Sequence, residues 1–240
     1  MSDQILSFNQ AIQGIAEFIE VAIHTILYVR QIYPADLFVR RKKYETPVFQ
    51  SRHPALNEYI SGAVKAIAEE MAHGNVDKVV VIIKDKQQIA LERFIFSVQN
   101  LIPAESFNKD TSVEGAMTAA SLAQYFRSFL IKLNMIEASL GQMELDDDAS
   151  FAIVLELKDD AAPSVTDPRI PPPWIPADTQ HTTPGTSEEA ELHMIRSVNT
   201  GIVDLSLAVQ ESGEKIERER EKEKAAKLQR KEVAEGKKKD

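Results

Sequence analysis

The 240-residue chain contains no cysteine, only nine glycines and a single tryptophan. Without cysteine the chain can form no disulfide, no thiolate metal site and no cysteine nucleophile. So few glycines leave little room for a phosphate-binding loop, and none of the usual glycine-based nucleotide or hydrolase motifs occurs. The five histidines form neither an HxxxH nor an HExxH pattern. We therefore expect no enzyme, no metal and no cofactor, and we interpret the acidic run at 146–148 as a solvated turn.

The chain also lacks an excess of positive charge and a long uncharged apolar run. Its 28 Lys and Arg residues are outnumbered by 37 Asp and Glu residues, which gives a formal net charge of −9. Such a chain is a poor candidate for direct binding to nucleic acid through phosphate neutralisation. The most apolar stretch, residues 4–33, is interrupted by Glu17, Glu20 and Arg30, whereas a membrane span needs about 20 nearly uncharged residues. We expect a buried core helix there and no membrane contact.

Three segments show the three-and-four spacing of apolar residues that is typical of helices. They cover about residues 4–33, 54–71 and 112–136, and Pro34 ends the first of them. Because the first segment is apolar over most of its circumference, we expect that helix to be buried on several sides.

Strands are predicted between and after these helices. Residues 78–84 and 89–98 predict a hairpin, and residues 150–158, 191–197 and 202–209 predict three further strands. Because the helices cluster early and neighbouring strands are joined by turns, the order of elements favours an α+β fold with a largely antiparallel sheet.

A long loop and a charged tail stand apart from these elements. Residues 159–189 contain most of the eleven prolines and the only tryptophan, Trp174. Loops of this length are usually functional or disordered, and the large ring favours a docked loop. The loop could cross over a bound peptide, or it could be a surface insertion. Residues 211–240 carry eleven basic and nine acidic residues, which predicts a disordered or frayed helical tail.

The basic run at residues 40–43, RRKK, allows two interpretations. It could be a nuclear-localisation or phosphate-contacting segment, or it could be a solvated connector. A direct nucleic-acid binder that used this run would show a steep dependence of affinity on salt.

Several segments resemble the HORMA-domain family. They are residues 18–30 (FIEVAIHTILYVR), 41–44 (RKKY), 53–60 (HPALNEYI), 77–83 (DKVVVII) and 173–175 (PWI). The resemblance covers about residues 5–210 and is greatest over 16–98. Within the family, the chain is most similar to the branch that serves DNA polymerase zeta as a non-catalytic accessory subunit.

The resemblance implies a HORMA domain over residues 1–210, in which three helices pack on a largely antiparallel sheet. Its core would span about 5–158, and a C-terminal safety belt would span about 159–210. In such proteins the belt wraps over a partner peptide that is added as a strand to a sheet edge. The implied function is a nuclear adaptor in DNA damage tolerance that captures a proline-containing peptide of the catalytic subunit of DNA polymerase zeta.

Position by position, the resemblance implies two binding surfaces. Tyr59 and Trp174 match positions that contact the captured peptide. Leu192, Ser206 and Ala208 fall at the interface with the C-terminal domain of the translesion scaffold polymerase, a deoxycytidyl transferase. Ser206 and Ala208 replace the glutamine and tyrosine that are usual in the family, which puts the strength of this second interface in question.

Arg127 and Lys132 match positions at the family's self-association surface. The resemblance therefore implies a homodimer or a heterodimer with another HORMA protein, and an AAA+ remodelling ATPase is a further candidate partner. The alternative within the family is an adaptor of the spindle-checkpoint or chromosome-axis type that binds a different closure-motif peptide.

Overall fold

The computed structural model describes residues 4–103, 108–141, 143, 149–159, 161–164, 173–183 and 189–236. The helices in this part of the chain are α1 (Phe8–Val29), α2 (Pro54–His73), α3 (Ala119–Asn134), α4 (Glu137–Leu140) and α5 (Gly213–Gly236). The strands are β1 (Phe38–Lys43), β2 (Thr46–Ser51), β3 (Val76–Lys84), β4 (Ala90–Asn100), β5 (Ser150–Leu157), β6 (Glu191–Asn199) and β7 (Val203–Glu211).

Strands β3 to β7 form one antiparallel sheet in the order β5-β3-β4-β7-β6, and β1 and β2 form a separate hairpin. Side chains alternate between the two faces of each strand. Val79 and Phe94 join the main core under α1, α2 and α3, whereas Val80, Ile95 and Val154 form a smaller cluster on the opposite face, which we call the back face. The predicted α+β architecture is confirmed.

Helix α1 lies at the centre of the core. A capping box of Ser7 and Gln10 begins it. The ring of Phe18 stacks on Phe126 of α3 with a centroid distance of 4.4 Å, and it meets Phe96 of β4 edge-on at 6.3 Å. By length and composition α1 could cross a membrane, but Phe18 and most of its other apolar side chains are buried in the fold. The prediction of a core helix is confirmed.

Two local predictions differ from the structure. The basic run at residues 40–43 lies in β1, which pairs with β2. This strand was not predicted, because four charged residues in succession show no strand pattern. Helix α3 begins at Ala119, later than predicted, and Thr118 caps it. The residues before it make bridges to the N-terminal segment instead, including one between Ser7 and Ser112.

The buried carboxylate of Glu92 in β4 joins distant parts of the chain. Arg30, at the end of α1, donates to it from Nε at 2.9 Å and from Nη2 at 2.6 Å. Lys215 of α5 donates from Nζ at 2.8 Å, and it also donates to Glu211 at the end of β7. Burial acts to lower the pKa of Lys215, but the attraction of Glu92 and Glu211 outweighs it and raises that pKa above its usual value. Lys215 is therefore charged.

The first residues of the charged C-terminal tail pack against the domain. Strand β7 continues through Glu211, and Ser212, Gly213 and Lys215 are buried. The guanidinium of Arg218 adds a second anchor, since its Nη2 lies 2.8 Å from Oδ2 of Asp85 in the β3–β4 turn. The burial of Lys215 could not be predicted, because a lysine in a charged run gives no sign of being buried.

We predict that Glu92→Ala lowers the free energy of unfolding by about 3 to 5 kcal/mol, because Arg30 and Lys215 would remain buried without their partner. Glu17→Ala is the matched control. Glu17 pairs with Lys43 at 3.0 Å, but both side chains are more than 40% exposed. We therefore expect Glu17→Ala to change the free energy of unfolding by no more than about 1 kcal/mol. Denaturant unfolding measures both, and a small effect of Glu92→Ala would contradict the structural role of Glu92.

Candidate functional site

Strand β5 is an edge strand, and in the described part of the chain no strand pairs with its outer side. The backbone N–H and C=O groups of such an edge form a template for a further strand. Residues 173–183, which we call the strap, lie beside this edge. The candidate site is thus built on the unpaired edge of a strand and not on a cluster of catalytic side chains.

A cavity of about 1040 Å³ lies between α2, β5 and the strap. Helix α2 contributes mostly small residues to it, β5 contributes its edge, and the strap contributes prolines and Trp174. The residues that line it are Glu58, Tyr59, Gly62, Ala63, Ala66, Ala152, Ile153, Val154, Leu155, Leu157, Pro163, Pro173, Trp174, Ile175, Pro176, Ala177, Asp178 and His181. This largely apolar channel is suited to an extended chain laid along β5.

Tyr59 stands in the channel on α2. Its side chain is 48% exposed, and its ring meets Phe151 of β5 edge-on at a centroid distance of 5.7 Å. Phe151 in turn meets the ring of Tyr33 at 6.3 Å. Burial, with a smaller effect from Tyr59, raises the pKa of Tyr33, so Tyr33 stays neutral. Tyr59 is therefore an accessible aromatic group on a neutral aromatic cluster and not a simple core residue.

Trp174 faces the same channel from the strap. Its ring is partly buried and packs against the main core. Its indole Nε1 is buried and has no hydrogen-bond partner in the described part of the chain, and the same holds for Nε2 of His181. A buried polar group without a partner costs about 1 to 3 kcal/mol. Both groups would therefore gain from the polar backbone of a bound chain.

Polar contacts hold both the strap and the residues that precede it in the chain. Before it, the backbone N and Oγ of Ser164 each donate to Oε1 of Glu70 on α2 at 2.7 Å. Within the strap, the carbonyl of Gln180 accepts from Nη2 of Arg93 at 2.6 Å. Arg93 lies two residues before Ile95 in β4 and so on the back face. Ser164 thus lies against α2, whereas Gln180 lies at the back of the sheet.

A second exposed surface lies at the opposite edge of the sheet, on β6. Leu192 and Met194 are 58% and 63% exposed, and they lie across from Gln210 and Ala208 of β7. Ser206 is partly exposed, whereas Ala208 is buried. Leu192, Ser206 and Ala208 were expected at this surface. Met194 was not, although its two-residue spacing from Leu192 places it on the same face of the strand.

The two residues expected at a self-association surface lie on α3. Nη1 of Arg127 is 3.4 Å from Oε2 of Glu45, and both side chains are well exposed. Lys132 is exposed as well. Neither residue lines the channel. Three large apolar side chains of the same helix region are also exposed, namely Tyr125, Ile131 and Met135.

Within the described residues, Glu191, His193 and Glu211 come close enough to share a metal ion. However, one oxygen of Glu211 accepts from Lys215, and the other lies 2.8 Å from Nε2 of His193. The charge of Glu211 is thus already matched by Lys215, and Glu211 belongs to the buried network around Glu92. The acidic run at 146–148 lies outside the described residues.

Three helices on one face of an antiparallel sheet, with a C-terminal strap that lies beside one edge strand, define a HORMA-type α+β domain. The HORMA domain model matches residues 12–203. The chain belongs to the HORMA family.

Relatives with curated names fall into two groups. The chain is 30% identical over 218 residues to the rat protein "Mitotic spindle assembly checkpoint protein MAD2B", and the alignment covers 90% of this chain and 98% of that protein. It is 38% identical over 155 residues to the "DNA polymerase zeta processivity subunit" of Schizosaccharomyces pombe, and this alignment covers 64% of this chain and 71% of that protein.

Solved structures show the same fold. A chain of the "Crystal Structure of Mitotic Checkpoint Complex" has a TM-score of 0.66 and 22% identity, covering 84% of this chain and 98% of that one. Caenorhabditis elegans HTP-1 bound to the HIM-3 closure motif has a TM-score of 0.64 and 12% identity, covering 88% of this chain and 98% of that one. At these identities the similarity establishes the fold alone.

Proposed function

We propose that this protein is a non-enzymatic adaptor subunit of DNA polymerase zeta that captures a proline-containing peptide of the catalytic subunit beneath its strap. The observation that carries the proposal is the open edge of β5 facing a channel of about 1040 Å³ that the strap closes. The similarity to the fission yeast processivity subunit supports the choice of partner.

The geometry suits capture of an extended chain by strand addition. Main-chain hydrogen bonds to β5 would supply affinity that depends little on sequence, and side-chain pockets would supply selectivity. Tyr59 and Trp174 would grip the peptide from opposite sides, while Gly62, Ala63 and Ala66 leave room for its larger side chains. A proline in the peptide is tolerated where the chain leaves the ladder, since it donates no hydrogen bond.

The second proposed interface leaves the first one free. The surface around Leu192, with Ser206 and Ala208, would receive the C-terminal domain of the scaffold deoxycytidyl transferase. Strands β5 and β6 are the two edges of one sheet and are four strand spacings apart, or about 19 Å. Both partners can therefore bind together, which raises the effective concentration of the catalytic subunit at the scaffold.

Three further proposals concern the setting of this adaptor. Arg127 and Lys132, with the exposed apolar groups of α3, would form the contact of a homodimer or of a heterodimer with another HORMA protein. An AAA+ ATPase would lift the strap when the peptide has to be released. A partner that acts on damaged DNA places the protein in the nucleus.

The second candidate function is a spindle-checkpoint or chromosome-axis adaptor. It is favoured by the checkpoint name of the animal relatives and by neighbours solved with closure-motif peptides. This candidate would use the same channel with a different peptide. The identity of the peptide that binds most tightly therefore separates the two candidates.

We predict that Trp174→Ala and Tyr59→Ala each weaken peptide capture by about 2 kcal/mol, or roughly 30-fold, because each removes an aromatic contact to the peptide. Titration calorimetry with proline-containing peptides tiled from the catalytic subunit measures this. Tyr125→Ala is the matched control, since Tyr125 is an exposed tyrosine of α3 that does not line the channel. If the unmodified protein and all three variants bind the peptide with equal affinity, capture in the channel is contradicted.

We predict that Leu192→Ala weakens binding of the scaffold polymerase's C-terminal domain about tenfold and leaves peptide affinity unchanged, because Leu192 lies at the far edge of the sheet. Leu101→Ala provides an exposed-leucine control outside β6. Fluorescence titration with the isolated C-terminal domain reports the change. If Leu101→Ala and Leu192→Ala have the same effect, the second interface lies elsewhere.

A further inference from the structure

We infer that Glu156 and Thr183 form a clasp that sets how long a captured peptide stays bound. This inference rests on the proposed capture and adds a positioning pair outside the channel. Neither residue lines the cavity, so the pair would act on the strap and not on the peptide.

The clasp is a three-part contact around one carboxylate. The backbone N and Oγ1 of Thr183 both donate to Oε1 of Glu156, each at 2.7 Å. The second oxygen, Oε2, accepts from Nζ of Lys78 on β3 at 3.1 Å. Hydrogen bonds to an ionised acceptor are roughly twice as strong as those between neutral groups. Glu156 thus ties the strap to two strands at once.

Protonation of Glu156 would remove the ionised acceptor. Burial acts to raise the pKa of this carboxyl, but the hydrogen bonds from Thr183 and the pairing with Lys78 outweigh burial and hold the pKa below its usual value. Glu156 is therefore ionised at neutral pH, in the form that accepts both hydrogen bonds of Thr183.

The position of the clasp explains why it should control release. Glu156 lies two residues after Val154 on the back face of β5, so the strap reaches it only after crossing the channel. Arg93 holds Gln180 three residues earlier, and Ser164 is held by Glu70 on the other side of the channel. A peptide beneath residues 173–178 can leave only when the strap lifts. Breaking the clasp lowers the barrier to lifting without removing any contact to the peptide.

Three substitutions at the clasp act in different ways. Thr183→Val keeps the shape and the backbone bond but removes the hydroxyl donor. Thr183→Glu brings a second carboxylate against Glu156. Glu156→Ala removes the acceptor for both bonds. Thr182→Val is the matched control, because Oγ1 of Thr182 donates to the carbonyl of Thr179 within the strap's own turn.

The dissociation rate of a fluorescent peptide from the full-length protein tests the inference. We expect dissociation about tenfold faster in Thr183→Val, because it loses a hydrogen bond to a charged group. Thr183→Glu and Glu156→Ala should dissociate faster still, with association rates within about threefold of the unmodified protein. Thr182→Val should leave both rates unchanged.

Amide hydrogen exchange in the peptide-free protein gives a second measurement. We expect faster exchange at residues 179–183 in Thr183→Glu and Glu156→Ala, and unchanged exchange in β3 and β4. This pattern shows that a faster release reflects a loosened strap in a folded protein. Accelerated exchange throughout the sheet would overturn the inference, because the substitutions would then act on the fold.

The outcomes separate this inference from the proposed function. Failure of the unmodified protein to bind any peptide of the catalytic subunit overturns the proposed function, and the claim about residence time falls with it. If the peptide binds but dissociates at the same rate from all three clasp variants, capture stands and the clasp is overturned.

Discussion

Arg30, which caps the C-terminal end of α1, and Lys215 of α5 both donate to the carboxylate of Glu92, which is fully buried in β4. Because Lys215 follows β7 almost directly and also pairs with Glu211, this contact fixes the β6–β7 ribbon on the edge of β4. Charges buried this deeply are stable only together. With the ribbon held on β4, the other edge of the sheet, at β5, is left for the strap and for a partner.

The strap turns that open edge into a closed channel. It is fixed to the back of the sheet by Arg93 and Glu156, and its residues, Trp174 among them, line the cavity. Ser164, which precedes the strap in the chain, is held on α2 by Glu70. Polar contacts thus hold the strap while apolar groups and an open strand face the ligand. Such an enclosure favours slow dissociation, because release requires movement of the protein as well as loss of contacts.

The sequence was sufficient for the elements with strong periodicity. The spacing of apolar residues located α1, and a run of β-branched residues located β3. Both elements are buried, and burial of a helix or strand produces a local pattern of apolar residues. Contacts between distant polar residues carry no such pattern, so the pairing of Glu92 with Lys215 and the clasp of Thr183 on Glu156 could not be predicted. The composition of the long loop pointed to Trp174, whereas the role of Tyr59 followed from the family resemblance. The structure shows that both residues line one channel.

Peptide addition to β5 is the central claim, and residue-resolved amide exchange along β5 tests it most directly. The measurement compares the protein alone with the protein saturated by the tightest-binding peptide of the catalytic subunit. Strand addition predicts that alternate amides within residues 150–157, those that face away from β3, become at least about tenfold slower to exchange. A peptide that binds while these amides exchange unchanged, with new protection appearing at β6 or α3 instead, would contradict capture at this edge.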